Sequence, residues 1–142
     1  MESRPGQLET DRMKLESEKV TTNKNQQEMF IFLNDVRNYE QLMPESIQKF
    51  EPISDDTFLF QLKGMPEIHL QIKETREPDL VVLGSTSEKL PFTLTIHISE
   101  KGNDKSEVFM DFQGEFNAMM SMMIKAPLKK FINTLSENAA KL

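Results

Sequence analysis

The chain has 142 residues, a formal net charge of −6, no Cys and no Trp, but ten Met and ten Phe. This length allows one domain with a substantial core, and the lack of cysteine excludes a disulfide scaffold, a thiolate zinc site and a cysteine nucleophile. The acidic balance argues against nucleic acid as a partner, because phosphate binding needs concentrated positive charge.

The first twelve residues are rich in charge and poor in large apolar side chains. Such a segment buries too little to offset its ordering entropy, so we predict a disordered leader or cloning remnant over residues 1–12. A single domain is predicted over residues 13–142. The N-terminus lacks the apolar stretch of a signal peptide, and no apolar run approaches the ~20 residues that span a bilayer. We therefore expect a cytoplasmic protein.

The N-terminal third of the domain predicts one strand and two short helices. Residues 14–22 favour a strand. Asn23 or Asn25 can cap the helix that follows, and Glu28 lies in its first turn, where the helix dipole favours a carboxylate. A second short helix is predicted over residues 39–43.

From residue 47 the apolar residues recur with a period of two, which is typical of antiparallel strands with one buried face. Turns are predicted at residues 64–66, 78–79 and 102–104 from their Gly, Pro, Asn and Asp content. His69 and His97 fall on the polar face, so we expect both to be solvated surface residues. Without ligand spacing they predict no metal site, and nothing in the sequence indicates a cofactor.

Residues 117–141 return to helical spacing, with Asn117 as a candidate N-cap. Apolar residues from Met120 to Ala139 fall on one stripe. Pro127 lies inside this helix and removes one backbone hydrogen bond, so a kink or break is expected near Lys125.

Three segments carry a resemblance to a known family. They are Phe30 to Asp35 (FIFLND), Tyr39 to Pro44 (YEQLMP) and Lys63-Gly64-Met65, followed by the closing pattern Pro-Leu-x-x-Phe-x-x-x-Leu. Together with the element order, they resemble the START-like (SRPBCC) superfamily, which includes birch-pollen-allergen-type proteins, and in particular its small bacterial members. The resemblance implies an α+β helix-grip fold: a curved antiparallel sheet of about seven strands wrapped around a long C-terminal helix, with two short helices after the first strand.

Members of that superfamily typically hold an apolar ligand between the sheet and the long helix, and some are enzymes. The resemblance therefore implies non-catalytic binding or transport of a small lipid-like or aromatic ligand. The inward residues expected to line the cavity could equally be ordinary core. They are Phe58, Phe60, Leu62, Ile68, Leu70, Ile72, Phe92, Leu94, Ile96, Met110, Phe112, Met120, Met123, Ile124, Leu128 and Phe131.

Two polar side chains are candidates for the cavity. Glu74 is in phase with the inward residues of its strand, so it is either a pocket acid or an exposed carboxylate at the rim. Tyr39 is either a hydroxyl at the pocket mouth or a packed helix residue. An alternative function, a polyketide cyclase- or dehydratase-like activity, would need one of these groups inside the pocket.

Four of the ten Met lie within five residues, Met119 to Met123, and Met122 falls opposite the apolar stripe. Such residues are either exposed or covered by a lid, a second copy in a homodimer, or a bilayer. We expect a transient membrane or protein contact through Met119, Met122, Lys125 and Lys129. A protein-interaction module similar to chaperone cofactors is thus the third alternative.

Overall fold

The structure is a computed structural model that describes residues 11–87 and 90–142. The strands are β1 (Asp11–Glu16), β2 (Val20–Thr22), β3 (Lys49–Pro52), β4 (Thr57–Gln61), β5 (Ile68–Arg76), β6 (Leu80–Ser85), β7 (Phe92–Gly102) and β8 (Lys105–Phe116). The helices are α1 (Gln26–Leu33), a 3-10 helix (Val36–Leu42) and α2 (Ala118–Ala140).

The strands form one antiparallel sheet in the order β1-β8-β7-β6-β5-β4-β3, and β2 also pairs with β8. The single strand predicted over residues 14–22 is therefore two strands. Between them, Ser17 binds Met110 in β8 in both directions: its backbone N–H donates to the Met110 carbonyl at 2.8 Å, and its Oγ accepts from the Met110 N–H at 2.9 Å.

The start of the domain differs from the prediction. Most of the predicted leader, residues 1–10, lies outside the described residues. Asp11 and Arg12, however, pair with Phe116 and Glu115 at the end of β8. Strand β1 thus begins two residues before the predicted start of the domain at residue 13, and its hydrogen bonds to β8 hold the backbone of these two residues in the sheet.

Asn25 caps α1 with both halves of a capping box. The Glu28 N–H donates to Asn25 Oδ1 at 2.8 Å, and the Asn25 N–H donates to Glu28 Oε1 at 3.0 Å. Asn23, the other candidate, instead accepts a hydrogen bond from Lys105 Nζ through its side chain. The predicted first-turn position of Glu28 is confirmed, and its carboxylate also satisfies a backbone donor.

The core lies between the inner face of the sheet and α2. The Phe60 ring of β4 stacks on the Phe131 ring of α2 with centroids 4.9 Å apart, and the Phe58 ring stacks on Tyr39 of the 3-10 helix at 5.0 Å. All four side chains are buried. These aromatic contacts join α2 and the 3-10 helix to the same strand.

Helix α2 begins at the predicted N-cap, where the Met120 N–H donates to Asn117 Oδ1 at 2.7 Å. Of the two alternatives predicted near Lys125, a kink or a break, the break does not occur, since the helix continues from Ala118 to Ala140. Pro127 is exposed. The carbonyl that loses its donor there, that of Met123, therefore lies on the solvent side, where water can replace the missing hydrogen bond.

Replacing the N-cap should separate the two candidate Asn residues. We expect Asn25→Ala to lower the free energy of unfolding by about 1 kcal/mol, because the capping box loses its acceptor. Asn23→Ala, the matched control, should change it by less than about 0.5 kcal/mol. Urea denaturation followed by circular dichroism measures both values, and an equal loss in the two variants would contradict the assignment of the cap.

Candidate functional site

An apolar slot lies between the sheet and the N-terminal half of α2. Its wall consists of Met65, Pro66, Ile68, Leu90, Phe92, Phe116, Met120, Ile124 and Leu128, all of which are apolar. The cavity measures about 20 Å³. That volume is about the space needed by one water molecule, so the interior is nearly filled by side chains.

Two parts of the chain build opposite walls of the slot. On one side, Asn117 turns the chain from β8 into α2, and helical spacing then places Met120, Ile124 and Leu128 on the inner face. On the other side, β5 begins at Ile68 and β7 begins at Phe92, so the slot lies where these strands start.

Three half-buried aliphatic side chains, Met65, Leu90 and Met120, form what we call the rim of the slot; of the other wall residues, Phe92 is also half-buried and Pro66 is exposed. Met65 follows Gly64, whose positive φ of 81° allows the tight turn between β4 and β5. Two of the three rim residues are Met, whose unbranched thioether chains change rotamer readily. The rim is therefore the part of the wall that can move at least cost.

Gly114 of β8 makes room for the aromatic side of the slot. A Cβ at Gly114 would lie 2.9 Å from the Cβ of Phe92 and 2.8 Å from the Phe116 ring. Phe92 pairs with Gly114 in the neighbouring strand. Position 114 therefore requires glycine if the Phe92 and Phe116 side chains are to pack against β8 as they do.

The structure brings five of the sixteen predicted cavity residues to the slot: Ile68, Phe92, Met120, Ile124 and Leu128. Ten others pack in the core around it without lining it: Phe58, Phe60, Leu62, Leu70, Ile72, Leu94, Ile96, Met110, Phe112 and Phe131. These ten face inward as predicted, but neighbouring side chains fill the space between them.

Three side chains named for the cavity do not reach the slot. The prediction for Met123 is wrong, and for Tyr39 and Glu74 the structure favours the alternative outside the pocket. The Met123 side chain is 67% exposed, because it lies beyond the edge of the inward stripe of α2. Tyr39 is fully buried rather than at a pocket mouth. Its hydroxyl donates to the Leu33 carbonyl at 2.7 Å, and burial raises the pKa of the phenol above its usual value.

Glu74 is exposed on the outer face of the sheet, not inward. A bulge in β5 explains why Glu74 is out of phase with Ile68 and Leu70: Ile72 pairs with Leu83, whereas Glu74, two residues on, pairs with Val82, the adjacent residue of β6. The extra residue reverses the alternation of the two faces. Glu74 therefore points away from the slot, and none of the described residues that form the slot wall is ionisable.

Four wall residues were not among the predicted cavity residues: Met65, Pro66, Leu90 and Phe116. Phe116 keeps the parity of Met110 and Phe112, so alternation along β8 could have identified it. Met65 and Pro66 carry a weaker signal, because they belong to a turn. Leu90 lies between β6 and β7, so the period-two pattern of the strands could not predict which way its side chain faces.

The outer face of the sheet holds a hydrogen-bonded pair, His97 and Asp111, that the sequence pattern did not predict. His97 Nε2 lies 2.7 Å from Asp111 Oδ2, and the His97 ring stacks on Phe109 at 5.4 Å. His97 is thus half-buried and bonded rather than simply solvated. The pair lies on the opposite side of the sheet from the slot. Among the described residues, no cluster of His, Cys, Asp or Glu is suited to hold a metal ion.

No protein-family model and no curated protein sequence matches the chain. Solved structures do match. Norcoclaurine synthase from Thalictrum flavum superposes with a TM-score of 0.73 at 10% identity, covering 99% of this chain and 91% of that one. A conserved protein from Geobacillus kaustophilus gives 0.64 at 10% identity, over 91% and 93% of the two chains. XoxI from Bacillus cereus gives 0.66 at 6% identity, over 94% of each chain.

The chain has the helix-grip fold. Identities this low establish the fold alone, and it is the fold that the sequence resemblance predicted, with eight strands in place of about seven. None of the described helices is both long and apolar enough to span a bilayer.

Two glycine variants test the packing beside the slot. Gly114→Ala should lower the free energy of unfolding by about 1–3 kcal/mol, because its Cβ would collide with the Phe92 Cβ and the Phe116 ring. Gly84→Ala is the matched control. Its Cβ would meet only the flexible Lys73 side chain, which can move aside, so we expect a change below about 1 kcal/mol. Equal losses in urea denaturation would show that Gly114 has no special packing role.

Proposed function

We propose that this helix-grip domain binds a small apolar or amphipathic molecule in the slot under α2. The observation that carries the proposal is the wall itself: nine apolar side chains between the sheet and the helix, with a rim of half-buried Met and Leu at the surface. Concave apolar sites of this kind are the usual binding sites for small ligands.

Binding requires the slot to open, because about 20 Å³ is far smaller than any organic ligand. The side chains that must move are Met65, Leu90 and Met120, which already contact solvent. Their displacement leaves the stacked Phe60 and Phe131 rings in place. The ligand therefore replaces flexible side chains at the rim and does not require the core to be taken apart.

Burial drives the proposed binding. Each 100 Å² of ligand surface removed from water contributes about 2.5 kcal/mol before ordering costs. The wall residues that the structure describes offer no side-chain hydrogen-bonding group, so we expect shape and apolar area to decide which molecules bind. We therefore expect loose selectivity among flat aromatic and short aliphatic compounds.

One structural neighbour supports the choice of aromatic probes. Norcoclaurine synthase from Thalictrum flavum was solved in complex with dopamine and hydroxybenzaldehyde, which are small aromatic molecules, and it superposes with a TM-score of 0.67 at 12% identity. The cyclase- or dehydratase-like alternative lacks comparable support. Neither Glu74, on the outer face, nor Tyr39, bonded to Leu33, reaches the slot.

Methyl NMR can locate the binding site directly. With methyl-labelled Met, addition of the neutral probe N-phenyl-1-naphthylamine should shift the signals of Met65 and Met120. The signal of Met29, which is buried in α1 and does not line the slot, should keep its position. Shifts at Met29 with none at Met120 would place the ligand elsewhere.

A matched pair of α2 variants should separate slot volume from stability. Leu128→Ala and Leu135→Ala each remove the same atoms from a buried site and should each cost about 2–5 kcal/mol of unfolding free energy. Only Leu128 lines the slot, so only Leu128→Ala should bind the probe more tightly, by about tenfold in Kd.

A substitution that fills the slot is a second test, because its expected effect on probe binding is opposite to that of Leu128→Ala. Met120→Trp should fill the rim and weaken probe binding. Equal probe affinities in all three variants would contradict the proposal.

A further inference from the structure

The outer face of α2 carries an exposed apolar ridge. Met119, Met122 and Met123 are 73%, 84% and 67% exposed. Lys125, Lys129 and Lys130 follow in the next turns and are also exposed. We call these six residues the Met-Lys ridge. The outer face of a helix in a globular protein is normally polar, so three exposed Met in one turn need an explanation.

The charged residues of the Met-Lys ridge itself are all positive. From Ala118 to Ser136, helix α2 contains three Lys and no Asp or Glu, in a chain whose net charge is −6. A neighbouring groove between β1 and α2 is lined by Lys14, Leu15, Glu16, Met122, Lys125, Ala126 and Lys129. Glu16 is the one acidic residue of that groove, and its backbone carbonyl accepts a hydrogen bond from Lys129.

A second hollow extends the positive surface along β1. It is lined by Arg12, Met13, Lys14 and Lys125. Arg12 also lies 3.6 Å from the Glu115 carboxylate, which offsets part of the positive charge of Arg12. Lys14 and Lys125 line both this hollow and the neighbouring groove between β1 and α2.

We propose that the Met-Lys ridge docks on a bilayer surface that contains anionic lipids. Lys side chains near such a surface are attracted by its negative potential, and each contributes about a fivefold gain in partitioning. The exposed Met side chains can then enter the interfacial layer, as the apolar faces of interfacial helices do.

The shape of the ridge favours a lipid surface over a peptide. Met119 and Met123 project from the outer side of one helix and line neither hollow, and only Met122 lines the groove between β1 and α2, so that groove gives no wall that would hold all three Met side chains against an extended chain. A bilayer interface needs no such wall, because it deforms around the side chains. The positive charge adds specificity for anionic headgroups over neutral ones.

The ridge also lies beside the mouth of the slot. Met120 belongs to the slot rim, and Met119 and Met123 flank it on the same helix. Docking would hold that rim close to the lipid, which would let an apolar ligand pass between the two. This last step rests on the proposed ligand binding, whereas the docking itself does not.

Vesicle binding tests the docking. The full chain should sediment with vesicles of phosphatidylcholine containing about 30% phosphatidylglycerol, but not with phosphatidylcholine alone. About 0.5 M salt should weaken the binding strongly, because exposed charges are then screened. Lys125→Gln with Lys130→Gln should lower partitioning about 25-fold. Lys101→Gln with Lys105→Gln, on the β7–β8 hairpin, is the matched control and should leave it unchanged.

The apolar part of the ridge is tested separately. Met119→Gln, Met122→Gln and Met123→Gln combined keep side-chain length and helix propensity, and should lower partitioning at least tenfold. Because the chain has no Trp, Met122→Trp gives a single reporter. Its emission should shift to the blue and be quenched by brominated lipid. Ile53→Trp, on the β3–β4 turn, should do neither.

Three outcomes would overturn the proposal. One is the absence of sedimentation with anionic vesicles at low salt. Another is binding that the Met variants do not weaken, which would mean charge attraction alone. The third is a concentration-dependent dimer that the Met variants abolish, which would assign the ridge to a second copy. Probe binding in the slot is measured on the same Gln variants and should be unchanged, so failure of docking and failure of ligand binding are distinguishable.

Discussion

The packing of α2 against the inner face of the sheet is the constraint on which the other features depend. The stack between Phe60 and Phe131 fixes the middle of the helix at van der Waals distance from β4. Phe131 is one turn past the slot residue Leu128. The helix therefore cannot approach or leave the sheet as a whole, and any remaining space must lie at its N-terminal end, where Met120 and Ile124 face the starts of β5 and β7.

Phe and Met have different roles in this interior, which explains why both are abundant. The rings of Tyr39, Phe50 and Phe58 extend the aromatic cluster from Phe60, with neighbouring centroids between 5.0 and 6.1 Å apart. Met65 and Met120, by contrast, occupy the rim, where a flexible chain can fill space and also vacate it. The rigid aromatic part maintains the fold, and the Met part provides the adaptable surface.

The sequence predicted the fold well because its signals are local. Period-two alternation, the cap at Asn25 and the helical stripe each depend on neighbouring residues, and each is confirmed. The site was predicted less well. Alternation shows that Phe58 and Leu94 point inward, but not whether other side chains fill the space they face. For Glu74 the sequence left two positions open, because a bulge is a property of two paired strands, which one strand's pattern does not contain.

Helix α2 carries apolar side chains on two faces, and the two faces contribute differently to the free energy of folding. The inner face, including Ile124 and Leu128, gains its burial when the chain folds. The outer Met119 and Met122 gain none, so any stabilisation from them must come from a surface outside the chain. The four Lys and single Glu of residues 117–142 leave the rest of the chain strongly acidic. An anionic bilayer would repel that remainder and attract the ridge, so charge alone would orient the domain with its slot rim toward the lipid.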